Sequence, residues 1–203
     1  MNKKTFELLP LAEAEVYYCK DFFPEPVVLY KKLDKEISWE NFPVKVIGKT
    51  FPSPRDNAYF ADSNKPYMYS GFDREPKVWT HTLSKIRKKL NKVIKQIYSE
   101  HLPLNAVLCN RYNNGDQYIG FHSDDEKDLD SNSFIVSVSL GAVRDFVFKH
   151  KRSGETLTVP LESGSVVLMG KGTQKNYKHS VPKRKRVKES RINLTFRSIV
   201  TRE

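Results

Sequence analysis

Arg191-Ile192-Asn193-Leu194-Thr195-Phe196-Arg197 alternates strictly between polar and apolar residues. A strand sends successive side chains to opposite faces, so Ile192, Leu194 and Phe196 share one face and Arg191, Asn193, Thr195 and Arg197 the other. Two readings of the polar face are open. Alternation alone implies the solvated exterior of an antiparallel sheet. If the face instead turns inward, its two arginines are costly to bury unless they bind an anion. A small dicarboxylate would satisfy both guanidinium forks through paired, charge-assisted hydrogen bonds.

Upstream the same period of two recurs. It predicts strands over 105–112, 134–140, 144–149, 155–161, 165–169 and 178–181, with the last strand running over 191–200. Turn signals separate them at Asn113-Asn114-Gly115-Asp116, Gly141, Ser153-Gly154 and Ser163-Gly164. Before these strands, Leu83, Ile86, Leu90, Val93, Ile94 and Ile97 recur at steps of three and four, which predicts a helix over 81–100 stopped by Pro103. One long helix followed by seven short strands predicts an α+β chain, a β-sandwich or open barrel backed by helices. Residues 1–80 hold most of the prolines and many aromatics. They predict a helix begun by Pro26 and running to 40, then short strands over 44–48 and 66–71. Neither a repeat nor a long linker interrupts the chain, so residues 1–203 are expected to form a single domain.

The 203 residues are 38% apolar, enough for a core and too many for intrinsic disorder. No apolar run approaches the roughly 18 residues of a membrane span, and the first residues lack the apolar stretch of a secretory signal. Cys19 and Cys109 are too few and too far apart for a disulfide framework or a cysteine zinc site, so a reducing compartment is expected. The net charge of +11 is uneven: 18 − 13 = +5 over residues 1–100, 2 − 6 = −4 over 101–140, and 15 − 5 = +10 over 141–203. The acidic segment could gather a cation and the basic third could face a polyanion. Solvated surface charge is the alternative.

In the acidic segment, His122 and Asp124 stand two apart, on one face of an extended strand. They offer an imidazole and a carboxylate to a divalent transition metal. Of the other histidines, His81 and His101 flank the basic helix and His150 sits in a Lys-rich turn, which leaves His179, on a predicted strand, as the third ligand. Two histidines and one carboxylate with open positions form the facial triad of non-haem Fe(II) oxygenases. His-x-Asp by itself is common by chance; the polar face of 191–197 is what gives it weight.

These motifs stand in a recognisable order. Asn110-Arg111-Tyr112-x-x-Gly115, His122-Ser123-Asp124-Asp125-Glu126, Ser137-x-Ser139-x-Gly141-x-x-Arg144-Asp145-Phe146, His179 and Arg191-x-Asn193-Leu194-Thr195-Phe196-Arg197 resemble the AlkB family of 2-oxoglutarate- and Fe(II)-dependent dioxygenases. The likeness runs from about Val46 to Ile199. Through Asp145-Phe146-Val147-Phe148-Lys149-His150-Lys151 it is greatest to the eukaryotic nuclear branch that acts on alkylated duplex DNA.

The resemblance implies a double-stranded β-helix (jelly-roll) core backed by helices, with the support helix and core in 81–203 and an N-terminal nucleotide-recognition lid in 1–80. It implies Fe(II) on His122, Asp124 and His179, and 2-oxoglutarate, the co-substrate with O2, held by Asn110, Tyr112, Arg191, Asn193, Thr195 and Arg197. Asp125 would stand at the target base, with Tyr67 and Tyr69 around it. Val46-Ile47-Gly48, followed by Lys49, would be the finger that enters the duplex, with Arg55 in the loop behind it. Lys183-Arg184-Lys185-Arg186 would grip phosphates, and the same run also reads as a nuclear localisation signal. Two departures stand out: Ile47 occupies the place of an aromatic wedge, and Ser123 that of an arginine.

The implied reaction is oxidative demethylation of bases such as 1-methyladenine and 3-methylcytosine in DNA, with release of formaldehyde. Methylation at those nitrogens makes the base cationic and prevents pairing, which lowers the cost of extruding it. The alternatives are an RNA demethylase acting on single strands, an inactive nucleic-acid-binding module and a protein-hydroxylating dioxygenase. The expected protein is a monomer without a membrane anchor, nuclear in a eukaryote and otherwise cytoplasmic.

Overall fold

Every residue of the strand Arg191–Arg197 is buried, polar and apolar alike, because both faces of its sheet are covered. The computed structural model describes residues 5–46, 48–63, 67–69, 72–124, 129 and 133–200, without the side chains of 45, 46 and 67–69. In chain order the first elements are β1 (Glu7–Leu8), β2 (Val16–Cys19), α1 (Pro26–Glu36), β3 (Pro43–Val46), β4 (Lys49–Pro52), β5 (Asp56–Ala61), β6 (Tyr67–Tyr69) and β7 (Phe72–Arg74). Then come α2 (His81–Ile97), β8 (Ala106–Tyr112), β9 (Ile119–His122), β10 (Ile135–Gly141), β11 (Arg144–His150), β12 (Thr156–Leu161) and β13 (Val166–Met169). The chain closes with α3 (Thr173–Asn176), β14 (Tyr177–Val181) and β15 (Arg191–Arg197).

Two antiparallel sheets face each other as a jelly roll. The larger has the order β1-β2-β13-β10-β15-β8-β5 and the smaller β12-β11-β14-β9. The apolar face of β15 (Ile192, Leu194, Phe196) packs outward with Val136, Val138, Val107 and Cys109 against Leu33 of α1 and Leu83, Ile86, Leu90 and Ile94 of α2. A second core between the sheets joins Ile135, Val167 and Met169 to Phe146, Phe148, Val159 and Leu161. The layers are therefore helix, sheet, sheet, and the polar face of β15 lies in the middle of them. Truncating Leu90, 1% exposed, to alanine would cost about 2–5 kcal/mol.

The helices are shorter than their patterns predict. α1 ends at Glu36 because Ile37 turns extended (φ −86°, ψ 123°) and enters the core, so its last apolar residue lies beyond the helix. α2 begins where Thr80 Oγ1 accepts the Leu83 amide at 3.2 Å, the N-cap position such a residue favours. It ends at Ile97, well before Pro103.

Five N-terminal strands escape sequence reasoning: β1, β2, β4, β5 and β7. Strands β2 and β5 pair with β13 and β8, so part of 1–80 is built into the larger sheet. Buried on both faces, β5 (Asp-Asn-Ala-Tyr-Phe-Ala) shows no alternation to read. Strands β3, β4, β6 and β7 form two hairpins, β3–β4 and β6–β7, held together at their bases. There Arg74 Nη2 donates to Pro43 O, and its guanidinium stacks 4.3 Å from the Phe42 ring.

Candidate active site

The cavity between the sheets is lined by the inward residues of β8, β9, β14 and β15. His122 ends β9 and His179 lies directly opposite it on β14. Antiparallel pairing thus brings together two histidines 57 positions apart, with ring centroids 4.3 Å from each other. Asp124 follows two residues after His122, outside the strand. The candidate ligand atoms of His122, Asp124 and His179 all lie within 4.8 Å of one another. Asp124 Oδ1 stands 3.5 Å from His122 Nε2 and 3.9 Å from His179 Nε2.

A β-bulge aims His122. Three steps of β9, from Ile119 to His122, span only two of β14, from Val181 to His179. The extra residue resets the alternation, so Ile119 and His122 both line the cavity although they are three apart. The His122 ring is oriented in turn by its Nδ1, which donates to Gly120 O at 2.9 Å; a carbonyl can only accept, so Nε2 keeps its lone pair for the cavity. Two side chains hold the segment after it. Ser123 Oγ donates to Tyr177 O and Gln174 Oε1 of α3 accepts the Asp124 amide, each at 2.9 Å. The serine in place of an arginine is a tie within the protein.

Electrostatics favour a cation here. Burial would raise the Asp124 carboxyl, but the Arg197 charge and the two histidines outweigh it and hold the group well below the ordinary carboxylate range. Burial pushes the His179 imidazole down to about 3, so the ring is neutral, the state in which it ligates a metal. Its Nδ1 is buried with no hydrogen-bond partner among the described residues. Two imidazoles and one carboxylate, with the remaining directions opening on the cavity, suit a divalent transition metal.

Beyond this cluster lies a buried cation. Arg191 is 1% exposed, and although Nη2 donates to Ser139 Oγ at 2.9 Å, Nε and Nη1 have no partner among the described residues. Burial lowers its pKa to about 10, so the buried group stays charged, and the Tyr112 ring lies 5.2 Å from it. A buried guanidinium with open donors fits a carboxylate. Asn193 donates to Ser137 Oγ at 2.8 Å and accepts from Thr195 Oγ1 at 3.0 Å. Asn110 Oδ1 accepts from Arg55 Nε and Asn57 Nδ2 at 2.8 and 2.6 Å. Of the six residues expected around 2-oxoglutarate, all line this cavity.

Arg55 requires a correction. Expected in the loop behind the finger as a phosphate contact, it is 4% exposed and points inward onto Asn110, where it can meet no phosphate. Lys49, Lys183, Arg184, Lys185 and Arg186 are exposed, but Arg184 is paired with Asp145. Gly48 takes φ +75° next to β4. Ile47 and Asp125, with the side chains of Val46, Tyr67 and Tyr69, lie outside the described residues.

Sequence reasoning also missed residues. Arg144, 1% exposed, donates to Asn114 O, Gln117 O and Pro182 O at 3.2, 2.9 and 2.7 Å, joining the 113–117 turn to the start of the basic loop. Ser137 and Ser139 interrupt an apolar strand at alternate positions, and that pattern was a signal for an inward polar face. Nothing in the sequence marks Gln174.

Comparison with known proteins agrees with this geometry. Residues 16–197 match the 2OG-Fe(II) oxygenase superfamily. The chain is 37% identical over 183 residues to mouse DNA oxidative demethylase ALKBH2, covering 85% of this chain and 74% of that one. To the human protein of that name it is 38% identical over 183 residues, covering 85% and 68%. Its fold is similar to the solved structure of OsALKBH1, with a TM-score of 0.67 at 19% identity over 96% of this chain and 100% of that one. A histidine–aspartate–histidine cluster beside a buried, under-used arginine is what such an enzyme needs for its metal and its oxo-acid. The chain belongs to the AlkB family, within the 2OG-Fe(II) oxygenase superfamily of iron- and 2-oxoglutarate-dependent dioxygenases.

Proposed function

We propose that the protein is an oxidative demethylase of N-alkylated bases in DNA, such as 1-methyladenine and 3-methylcytosine, releasing formaldehyde. The observation that carries this reading is the juxtaposition in one cavity of His122, Asp124 and His179 with Arg191, whose Nε and Nη1 are uncommitted. The relatives named DNA oxidative demethylases favour DNA over RNA as the substrate.

When bound, Fe(II) with O2 and 2-oxoglutarate supplies the oxidising power that turns an N-methyl group into N-hydroxymethyl. His122, Asp124 and His179 would hold the metal. Arg191, Tyr112, Asn110, Asn193 and Thr195 would hold 2-oxoglutarate, with the Arg197 charge at the same wall of the cavity. The hydroxymethyl carbon then leaves its nitrogen as formaldehyde and restores the base, a step for which no side chain is needed as base. Asp125 is taken to favour a cationic ring and Tyr67 and Tyr69 to flank it. The β3–β4 hairpin is taken as the finger, and with β6–β7 as the recognition lid of a single domain. Lys183, Lys185 and Arg186 are taken to grip phosphates. The reading expects a monomer, nuclear in a eukaryotic cell and otherwise cytoplasmic.

The test is formaldehyde release from methylated oligonucleotides, single- and double-stranded, DNA and RNA, with Fe(II) and 2-oxoglutarate. No release from any of them would sink the proposal. His122→Ala should abolish turnover while salt-dependent DNA binding persists. Ile47→Phe should raise activity on duplex if the hairpin is the finger.

A further inference from the structure

The bulge that turns His122 inward has a second effect on the edge strand β9. Because Ile119 and His122 both face the cavity, Tyr118 and Phe121, also three apart, both turn away from it. Phe121 is 47% exposed and Tyr118 38% exposed. Each ring carries a lysine from a different element. Lys149 Nζ of β11 stands 5.7 Å from the Phe121 centroid, and Lys183 Nζ of the basic loop stands 4.8 Å from the Tyr118 centroid. Lys149 is exposed, and it sits in direct register with Lys178 of β14, also exposed. Two like charges in cross-strand register repel each other, a cost that a bound anion removes.

Large exposed aromatics on an edge strand, as Phe121 is, or just before one, as Tyr118 is, are an aggregation hazard that folds ordinarily blunt. Here they are paired with cations, one residue and four residues before a metal ligand. A ring offers its face to a base of any sequence, and a lysine beside it meets the phosphate of the same nucleotide.

We propose that Tyr118 and Phe121, with Lys183 and Lys149, form a stacking platform for unpaired nucleotides of a DNA strand beside the reaction cavity. The inference rests on the reading of the substrate as nucleic acid and extends it to how the strand is held outside the cavity. The platform is tolerant of sequence and prefers single strands, because bases stacked within a duplex present no free face to it.

The test uses the full chain loaded with Mn(II) and 2-oxoglutarate, and fluorescein-labelled undamaged DNA, as a single strand and as the matching duplex. Anisotropy titrations at several salt concentrations give affinity and salt slope. Phe121→Ala and Tyr118→Ala should each weaken single-strand binding about 5- to 150-fold, leave the salt slope unchanged and move duplex binding less. Lys149→Gln should instead lower the slope by about 0.7. Phe121→Trp should retain affinity, and its fluorescence should be quenched by the strand. An unchanged Mn(II) affinity in Phe121→Ala confirms that His122 is undisturbed. A Tyr118→Ala/Phe121→Ala double variant that binds single strands within twofold of the parent overturns the platform, as does a parent that does not bind them. A parent that binds through these rings yet releases no formaldehyde upholds the platform and sinks the demethylase reading.

Discussion

Arg197 Nη2 donates to Asp124 Oδ2 at 2.9 Å, with both side chains 4% exposed. The pair commits one carboxylate oxygen and leaves Oδ1 to face the two histidines. Arg197→Leu should therefore strand a buried carboxylate and destabilise the metal-free protein by about 3–5 kcal/mol. Urea denaturation measures this, and added Mn(II) should restore part of the loss by supplying the missing positive charge. The pH window follows from the sign of the shift. The folded carboxyl is held below its unfolded value of about 3.9, so the contribution is present above that value and fades as pH falls below it. The gap between parent and variant should be widest near pH 8 and narrow as pH falls, because without Arg197 burial raises the stranded carboxyl and its protonation relieves the variant.

Arg191 presents the opposite case, a buried charge with donors to spare. Arg191→Leu removes the proposed partner of a 2-oxoglutarate carboxylate and relieves a buried cation. The Michaelis constant for 2-oxoglutarate should rise about 10- to 150-fold, as for a lost hydrogen bond to a charged group of about 1.5–3 kcal/mol. Mn(II) affinity without co-substrate should stay within a factor of two, and thermal stability should hold or rise. A variant with an unchanged Michaelis constant would remove Arg191 from the site.

Arg144 donates to three backbone carbonyls in two separate segments of the chain. Arg144→Met leaves those acceptors without their donor, at about 1–3 kcal/mol for each one that water cannot reach. Denaturation should show a loss of about 2–5 kcal/mol. Arg144→Lys should recover little of it, because one ammonium cannot reproduce the planar fork. Full recovery with lysine would mean that the charge alone matters there.

Gly115 is required by close approach. A Cβ there would lie 1.8 Å from Arg184 O, while the glycine itself exchanges backbone hydrogen bonds with the basic loop, its amide to Val187 O and its carbonyl from the Arg184 amide. Gly115→Ala must push residues 184–187 off the 113–116 turn. Trypsin should then cleave the lysine- and arginine-rich loop several times faster than in the parent. DNA affinity should fall while Mn(II) affinity is kept, since His122 and His179 are anchored by strand pairing. Equal cleavage rates would show that the loop accommodates the methyl group.

The alternation of 191–197, the spacing His122-x-Asp124 and the basic run after His179 were legible because each is a local pattern. They carried the family resemblance, the candidate metal ligands and, apart from β9, the C-terminal strands of the jelly roll. The N-terminal strands were not legible, since β2 and β5 belong to a sheet covered on both faces and had lost their alternation. Arg55 was misjudged for a related reason: in a proline-rich loop, nothing local distinguishes an arginine that turns to solvent from one that turns onto Asn110.

Sequence by itself could not choose between an exterior and an interior polar face on β15. That choice belongs to the second sheet, which packs across residues 191–197 and makes Arg191 and Arg197 buried cations instead of surface charge. The same is true of His122. Its spacing to Asp124 is written in the chain, but its direction depends on a bulge in β9 against β14, and a one-residue shift in register reverses which face a side chain occupies. Residue types and their order are local chemistry. Which side of a strand becomes the inside depends on what packs against it, and that is a property of the whole fold.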